Sequence, residues 1–161
     1  MRVNLDPPAL IVVTTRGLKD FGDGTFHAGM ARGPLVVIRP GFENDAGLLA
    51  HELFHAWRWW LIGLLASALL ALAGWLAGSI EIAGIAFPAW SFAPAGLAAN
   101  SLLYTHWPAW REAEEITAYR VQARCYPAEQ QPAKLVKFAE FISERYGLDI
   151  SAAEALQRIK E

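Results

Sequence analysis

Cysteine is nearly absent from this chain of 161 residues, in which Cys125 is the only one. A single thiol excludes an internal disulfide and suits a reducing compartment, so we interpret Cys125 as a packing residue. Charge is also sparse: 19% of residues are charged, the formal net charge is −2, and no basic stripe runs along the chain. Nucleic acid is therefore not an expected partner.

Lysine and arginine are missing from residues 59–110, where Glu81 is the only acid. Residues 59–78 form an uncharged run that, as a helix, spans about 30 Å, the thickness of the hydrocarbon core of a bilayer. Residues 82–104 form a second run, whose prolines a transmembrane helix tolerates as kinks. A domain of this size has little interior for two such helices, so we predict a transmembrane hairpin over residues 59–104. One span with a re-entrant second segment, or a homo-oligomer that covers these helices, are the alternatives.

Ahead of these runs stands H-E-L-F-H, beginning at His51, an example of the pattern H-E-x-x-H that is typical of zinc peptidases. On a helix, His51 and His55 project from one face and can bind one tetrahedral Zn²⁺. Glu52 stands beside them as the general base for a zinc-activated water that attacks a carbonyl. Asn44 or Asp45 is placed to cap the N-terminus of this helix.

The two histidines leave the metal one ligand short, because a catalytic zinc usually has three protein ligands and a water. A helix predicted to carry Pro108 in its first turn contains three acids: Glu112, Glu114 and Glu115. Each of them can supply the missing carboxylate. A solvated charged face is the alternative interpretation of this cluster.

The segment E-I-T-A-Y from Glu115 resembles the E-x-x-A-D/N segment in which gluzincin-type metallopeptidases carry their third zinc ligand, and this resemblance favours Glu115. Tyr119 stands where many relatives have Asp or Asn, and we expect it to support the site by a hydrogen bond. The order of motif, apolar spans and glutamate helix is similar to that of the membrane metallopeptidases of the HtpX and CAAX-protease group. Short zinc-peptidase-like proteins of phages and bacteria share the order of strand, motif and glutamate helix. The resemblance covers residues 35–124 and implies that an edge strand, here residues 35–39, pairs with an extended substrate.

Positive charge flanks the apolar runs on one side only. Arg58 precedes the first run and Arg111 follows the second, whereas the turn at residues 79–81 carries none. By the positive-inside rule, both termini and the candidate site lie in the cytoplasm. Two spans also return the chain to the side of the membrane on which it started. A site built from His51 and His55 before the spans and Glu115 after them requires this. We therefore predict a multi-pass membrane protein with the lipid bilayer as a partner.

The flanks of the hairpin predict a small α+β fold. The predicted three-stranded sheet consists of residues 9–15, 25–30 and 35–39, with a turn at residues 22–24. A C-terminal helical segment over residues 132–161 has Gly147 at the end of its first helix and Ser151 as the cap of its second. We predict a single domain over residues 1–161, a minimal zincin-like core with the membrane hairpin inserted between its half-sites.

Two further histidines need an interpretation. His106 stands just before the glutamate helix, where it could donate a hydrogen bond to an oxyanion, although an interfacial cap is the simpler interpretation. His27 lies in a predicted strand, and we interpret it as structural. We expect a zinc metalloendopeptidase that hydrolyses peptides or membrane proteins at the cytoplasmic membrane surface. The alternatives are a non-catalytic membrane zinc-binding sensor or assembly module on a zincin fold, and a structural hairpin with an accidental motif.

Overall fold

The computed structural model describes residues 1–21 and 26–161 and has a mixed α+β fold, which confirms the predicted class. Its strands are β1 (Arg2–Leu5), β2 (Pro8–Val13), β3 (Gly29–Arg32), β4 (Leu35–Ile38), β5 (Ser79–Ile82) and β6 (Ile85–Pro88). Its helices are α1 (Ala46–Ala77), a 3₁₀ helix (Ala89–Ala98), α2 (Ala99–His106), α3 (Pro108–Arg124), α4 (Gln131–Arg145) and α5 (Ala152–Lys160). The turn predicted at residues 22–24 lies outside the described residues.

The main sheet has the strand order β1-β2-β4-β3. β2 and β4 are parallel, whereas β1 and β3 are antiparallel to their neighbours. β4 is therefore an inner strand, and β3 is at the edge. The prediction that residues 35–39 form the edge strand is wrong, because β2 pairs with β4 on the side opposite to β3.

The strands differ from the prediction in two further ways. β1 is an additional strand, which pairs with β2 so that Arg2 lies opposite Ile11. Its four residues are too few for a recognisable apolar alternation. β3 begins at Gly29, later than the strand predicted over residues 25–30.

Two apolar clusters hold the helices that carry the candidate site. The first lies between the sheet and α1 and contains Ala9, Ile11, Val36, Ile38, Leu48 and Ala56. The second packs α3 against α4 and α5 around Ile116, Phe138 and Ile142. Burying each branched or aromatic side chain contributes about 1.5–3 kcal/mol. Because α1 also packs against α3, the two clusters fix these helices relative to each other.

α1 begins where the sequence predicts, with Asp45 as its N-cap. Asp45 Oδ1 accepts the backbone N–H of Leu48 at 2.9 Å and the hydroxyl of Tyr126 at 2.8 Å. The helix has 32 residues and is therefore about 48 Å long. Its first turns lie on the sheet, and the remainder extends beyond it. Within the described residues, α1 is the one helix long and apolar enough to cross a membrane.

The second uncharged run does not form one continuous α-helix. Gly78, with φ +81, ends α1, and Ala83 and Gly84, both with positive φ, make the two-residue turn between β5 and β6. The backbone then returns along α1 as the 3₁₀ helix and α2, which together are about 32 Å long. Pro94 lies inside the 3₁₀ helix, where it removes a backbone donor.

Glycines bring the returning segment into backbone contact with α1. A Cβ atom on Gly96 would lie 2.2 Å from the backbone nitrogen of Ser67, and one on Gly74 would lie 2.5 Å from that of Trp90. Side chains on the outer surface of α1 are apolar and more than half exposed: Leu64, Leu65, Leu69, Leu72, Trp75 and Leu76. The paired segments therefore present hydrocarbon outward and bury little of it against each other.

The C-terminal segment is helical, as predicted. α4 ends at Arg145, shortly before Gly147, whose φ is +61. Ser151 caps α5 by accepting the backbone N–H of Glu154 at 3.2 Å. These helices form one wall behind the candidate site.

Candidate metal centre

α1 places the two histidines of the motif side by side. His51 Nε2 and His55 Nε2 are 3.2 Å apart, and the ring centroids are separated by 4.9 Å. His51 is buried and His55 is partly buried. The four-residue spacing produces this geometry because i and i+4 lie on one face of a helix.

α3 brings Glu115 to both rings. Glu115 Oε2 is 3.5 Å from His51 Nε2, and Oε1 is 3.4 Å from His55 Nε2. The residue is 1% exposed, so its carboxylate is within the protein and not on a solvated face. Of the three acids predicted as the third ligand, this one faces the histidines.

The other two acids have different partners. The Glu112 carboxylate is ion-paired with Arg158 of α5. Glu114 Oε1 accepts a hydrogen bond from Arg58 Nε at 2.7 Å, and Glu114 Oε2 is 3.9 Å from His55 Nδ1. Glu114 therefore adds negative charge behind His55, on the side of the ring away from Glu115.

The three donor groups fit a zinc ion. Zinc with bonds of about 2.0–2.1 Å in a tetrahedron separates its ligand atoms by about 3.3–3.4 Å. The two imidazole nitrogens are 3.2 Å apart, and each faces a different oxygen of Glu115, at 3.5 Å for His51 and 3.4 Å for His55. One donor atom from each of the three residues lies within 4.8 Å of the others. Glu115 Oε2 is buried and has no hydrogen-bond partner in the described part of the chain, so it is available to a metal. Two imidazoles and one carboxylate are also a donor set that zinc accepts in catalytic sites.

The imidazoles and the carboxylate of the site are electrostatically coupled. Burial alone would lower the pKa of His55, but the negative charge and hydrogen bond of Glu115 outweigh it and raise this pKa above its ordinary value. Burial alone would raise the pKa of Glu115, but His55 and His51 lower it well below the usual range. These opposite shifts describe a coupled pair in which the imidazole and the carboxylate each favour the charged form of the other.

Glu52 lies against the edge strand β3. Its side chain is 5% exposed, and its carboxylate accepts the backbone N–H of Ala31. A Cβ atom on Gly29 would lie 2.7 Å from Glu52 Oε1, so glycine leaves the room that this carboxylate occupies. Burial raises the pKa of Glu52, and the nearby His51 and His55 oppose the rise.

A cleft of about 680 Å³ opens beside these groups. β3, α1, α2 and α3 form its walls, and its lining includes His51, Glu52, His55, Tyr104, Arg111 and Glu115. The strand beside it is β3, not the predicted residues 35–39. Its outer edge is unpaired in the described part of the sheet.

Two tyrosines contact the site in different ways. The Tyr119 ring packs edge-on against that of His51, with centroids 4.5 Å apart, while its hydroxyl is hydrogen-bonded to that of Tyr146 at 2.9 Å. Tyr119 thus supports the site through its ring, and not through the hydrogen bond expected from the position of Asp or Asn in gluzincins. The Tyr104 hydroxyl donates to Glu115 Oε1 at 2.5 Å. Sequence reasoning missed this contact, because Tyr104 ends the second apolar run and lies eleven residues before Glu115.

The remaining histidines stand apart from the three donor groups. His106 is exposed at the end of α2 and does not line the cleft. Tyr104 and His106 are two residues apart on a helix, about 200° around its axis, so one faces inward when the other faces outward. His27 lines the cleft and packs on Tyr146, with ring centroids 6.4 Å apart.

Comparison with protein-family models, with curated proteins and with solved structures gives no match for this chain.

Proposed function

We propose that this protein is a zinc-dependent metallopeptidase with a gluzincin-like site. One observation carries the proposal: His51, His55 and Glu115 converge, with one donor atom from each within 4.8 Å of the others and the two imidazole nitrogens 3.2 Å apart, close enough for a single zinc ion. The buried carboxylate of Glu52 lines the same cleft. A metal-binding triad, a carboxylate that is not needed as a ligand and an open cleft are the parts that metal-assisted hydrolysis requires.

The residues then divide into two roles. His51, His55 and Glu115 hold the metal, and Tyr104 orients the Glu115 carboxylate by its hydrogen bond to Oε1. Bound zinc supplies Lewis acidity, which polarises a peptide carbonyl and lowers the pKa of a water molecule. Glu52 performs the proton transfers.

Glu52 takes one proton from the attacking water as the water oxygen forms its bond to the carbonyl carbon. The same carboxyl returns that proton to the nitrogen of the leaving amine as the C–N bond breaks.

The substrate backbone is held by the edge of β3. An extended peptide can add as a further strand to this edge, where the backbone groups other than the Ala31 N–H that Glu52 accepts have no strand partner within the described sheet. β3 lies directly beside Glu52, which accepts the N–H of Ala31 in that strand. A peptide paired there passes along the cleft in front of the triad.

The decisive experiment replaces Glu52 by glutamine. Purified Glu52→Gln is expected to bind one zinc per chain, as wild type does, and to lose about 10²-fold or more in peptidase activity, because an amide cannot accept the proton. Zinc content is measured by elemental analysis after reconstitution, and activity on casein and on a panel of detergent-solubilised membrane proteins. Glu129→Gln, an exposed glutamate outside the cleft, is the matched control.

Two results would contradict this assignment. Equal cleavage rates for wild type and Glu52→Gln would rule out Glu52 as the base. Wild type with less than about 0.2 zinc per chain after reconstitution would rule out the metal site, because a three-ligand site retains its metal. Stoichiometric zinc without cleavage of any substrate would instead support the non-catalytic sensor.

We further propose that the apolar hairpin crosses a bilayer, with both termini and the site in the cytoplasm. The outer surface of α1 carries six exposed apolar side chains between residues 64 and 76, which water does not favour. Backbone contact through Gly74 and Gly96 is a packing mode suited to lipid, where apolar area provides no net driving force between helices. Trp57 and Trp107 are exposed where the hairpin leaves the core, a position that suits the membrane interface.

Membrane insertion is tested by extraction and labelling. The protein is expected to resist alkaline carbonate extraction. In a background where Cys125 is replaced by serine, a cysteine at Ser79 should react with an impermeant maleimide in intact cells, and one at Lys137 only after permeabilisation. Monomeric protein in the detergent-free soluble fraction would contradict the proposal, as would labelling of both positions from the same side.

A further inference from the structure

The lining of the cleft contains more basic than acidic side chains. Its acidic lining residues, within the described chain, are Glu52 and Glu115. Both are committed to the proposed reaction, one as base and the other as ligand. The cleft also has three guanidinium groups, those of Arg32, Arg111 and Arg145. Once a dication is bound, the surface that remains for substrate is therefore positively charged.

Arg111 is the arginine best placed to act beside the metal. It precedes Glu115 by four residues on α3, so both side chains project from the same face, about 6 Å apart along the helix. An extended peptide advances about 3.5 Å per residue. A peptide that runs parallel to α3 therefore covers this rise of about 6 Å in fewer than two residues from the scissile carbonyl.

Local contacts hold Arg111 in position without neutralising it. One terminal nitrogen donates to the carbonyl oxygens of Tyr104 at 3.1 Å and Thr105 at 3.3 Å, at the end of α2. Its Nε is buried and has no hydrogen-bond partner among the described residues. No described acid forms an ion pair with Arg111, in contrast to Arg58, which pairs with Glu114. A guanidinium has five N–H donors in a planar fork, and the two carbonyls leave several of them available.

The other two arginines of the cleft are less well placed to bind a substrate beside the metal. Arg145 lies over the Phe21 ring at 4.6 Å and has its Nε 3.8 Å from the carboxylate of Glu144. Arg32 is exposed at the end of β3. Neither shares a helix face with a proposed metal ligand.

We infer that Arg111 binds a carboxylate of the substrate, so that the preferred substrates are peptides with an acidic group within two residues of the scissile bond. The inference rests on the proposed peptidase function. The carboxylate has two possible sources, a free C-terminus or an Asp or Glu side chain. A partly buried guanidinium binds either one by paired, charge-assisted hydrogen bonds.

The test uses four dansylated tripeptides of otherwise identical sequence. One ends in a free carboxylate and the second in the corresponding amide. The third and fourth are amides whose last residue is aspartate or asparagine. Binding is measured by fluorescence anisotropy to zinc-loaded Glu52→Gln protein in detergent, and kcat/KM is measured with Glu52 intact. Comparison of the free-acid peptide with its amide shows whether Arg111 binds a C-terminal carboxylate. Comparison of the aspartate peptide with the asparagine peptide shows whether it binds a side-chain carboxylate.

At least one acidic peptide is expected to exceed its neutral partner by about 10- to 100-fold in both affinity and kcat/KM. In Arg111→Gln the acid-to-neutral ratio is expected to fall below about 3, and in Arg111→Lys to recover in part, since the charge returns without the planar fork. Arg120→Gln is the matched control. Arg120 also lies on α3 and donates to helix-end carbonyls, those of Ile159 and Arg158, but it does not line the cleft.

The outcomes separate this inference from the proposed function. Cleavage without acid preference, or a preference that survives Arg111→Gln, overturns the role of Arg111 and leaves the peptidase proposal standing. Loss of the preference in Arg145→Gln instead of Arg111→Gln also overturns it. Acid-selective binding that Arg111→Gln abolishes, without cleavage by the wild type, supports the carboxylate site and overturns the peptidase. Ratios rather than absolute rates are compared, because Arg111→Gln also removes a cap from α2.

Discussion

Replacement of Gly29 by alanine tests how tightly the proposed base is held. The Cβ of alanine would lie 2.7 Å from Glu52 Oε1, 3.0 Å from Cγ and 3.1 Å from Cδ. The backbone of Gly29 is not in the left-handed region, so alanine is compatible with the strand itself. The disturbance therefore falls on Glu52, which is fixed by burial and by the N–H of Ala31.

The size of the effect follows from these distances. Ordinary van der Waals contact begins at 3.4 Å, so Oε1 must move by about 0.7 Å. A misplacement of about 1 Å at a reacting group costs about 10²-fold in rate, so a loss of roughly 30- to 100-fold in kcat is expected. Overpacking of this kind also destabilises a protein by about 1–3 kcal/mol. Zinc content should be unchanged, because Gly29 contacts none of the three donor groups closely.

The assay is a double-mutant cycle in detergent, read by tryptophan fluorescence during denaturation, and the peptidase rate is compared between wild type and the single variant Gly29→Ala. Glu52→Ala removes the atoms that alanine at Gly29 would contact, so the cost of Gly29→Ala should largely disappear in that background. Glu52→Gln keeps the same shape, so the cost should persist there. A Gly29→Ala protein with wild-type activity, or an equal cost in the Glu52→Ala and Glu52→Gln backgrounds, would refute the reasoning.

Three further substitutions probe the site and the hairpin. Glu115→Gln is expected to lower zinc affinity, measured by chelator competition, by about 100-fold. Glu112→Gln should lower it by less than about threefold, because the Glu112 carboxylate pairs with an arginine of α5. Equal losses in the two variants would reject Glu115 as the ligand. Tyr104→Phe removes the hydrogen bond to the ligand carboxylate and should weaken zinc binding by about 10-fold. An unchanged affinity would show that the contact does not orient the ligand. Gly96→Leu should lower the thermal midpoint strongly, since even a Cβ there meets the α1 backbone, whereas Ala95→Leu on the exposed side should not. Similar midpoints for the two variants would argue against close packing of the hairpin.

The part of the candidate site that could be predicted is the part that depends on local geometry. The spacing of His51 and His55 determines that their rings share a face on any helix, and Asp45 marks where that helix starts. Local geometry narrowed the third carboxylate to three acids, and the choice of Glu115 among them depended on the gluzincin resemblance. Which of them faces the histidines depends on how α3 is rotated against α1, and that rotation is set by contacts between residues far apart in sequence.

The missed features share this dependence on long-range packing. Tyr104 reaches Glu115 because the chain turns sharply between α2 and α3, at Trp107, where the backbone is extended. β3 and not β4 is the edge strand because β2 and β4 pair in parallel across some twenty residues of intervening chain. An alternation of apolar residues indicates that a segment is a strand, but it does not reveal the neighbours of that strand.

His55 and Glu115 are neighbours in space and about sixty residues apart in the chain. Everything between them belongs to α1, the β5–β6 turn and the returning helices. A metal shared by these two side chains would close that loop as a cross-link does, and closing a loop of about sixty residues costs the unfolded chain about 3–4 kcal/mol of conformational entropy. The hairpin already brings these ends together, so its packing and the metal would stabilise the same closure. In the proposed peptidase, a chelator would therefore stop hydrolysis and also remove one of the constraints that close this loop. The affinity of the site for its metal would in turn report how firmly the hairpin is packed.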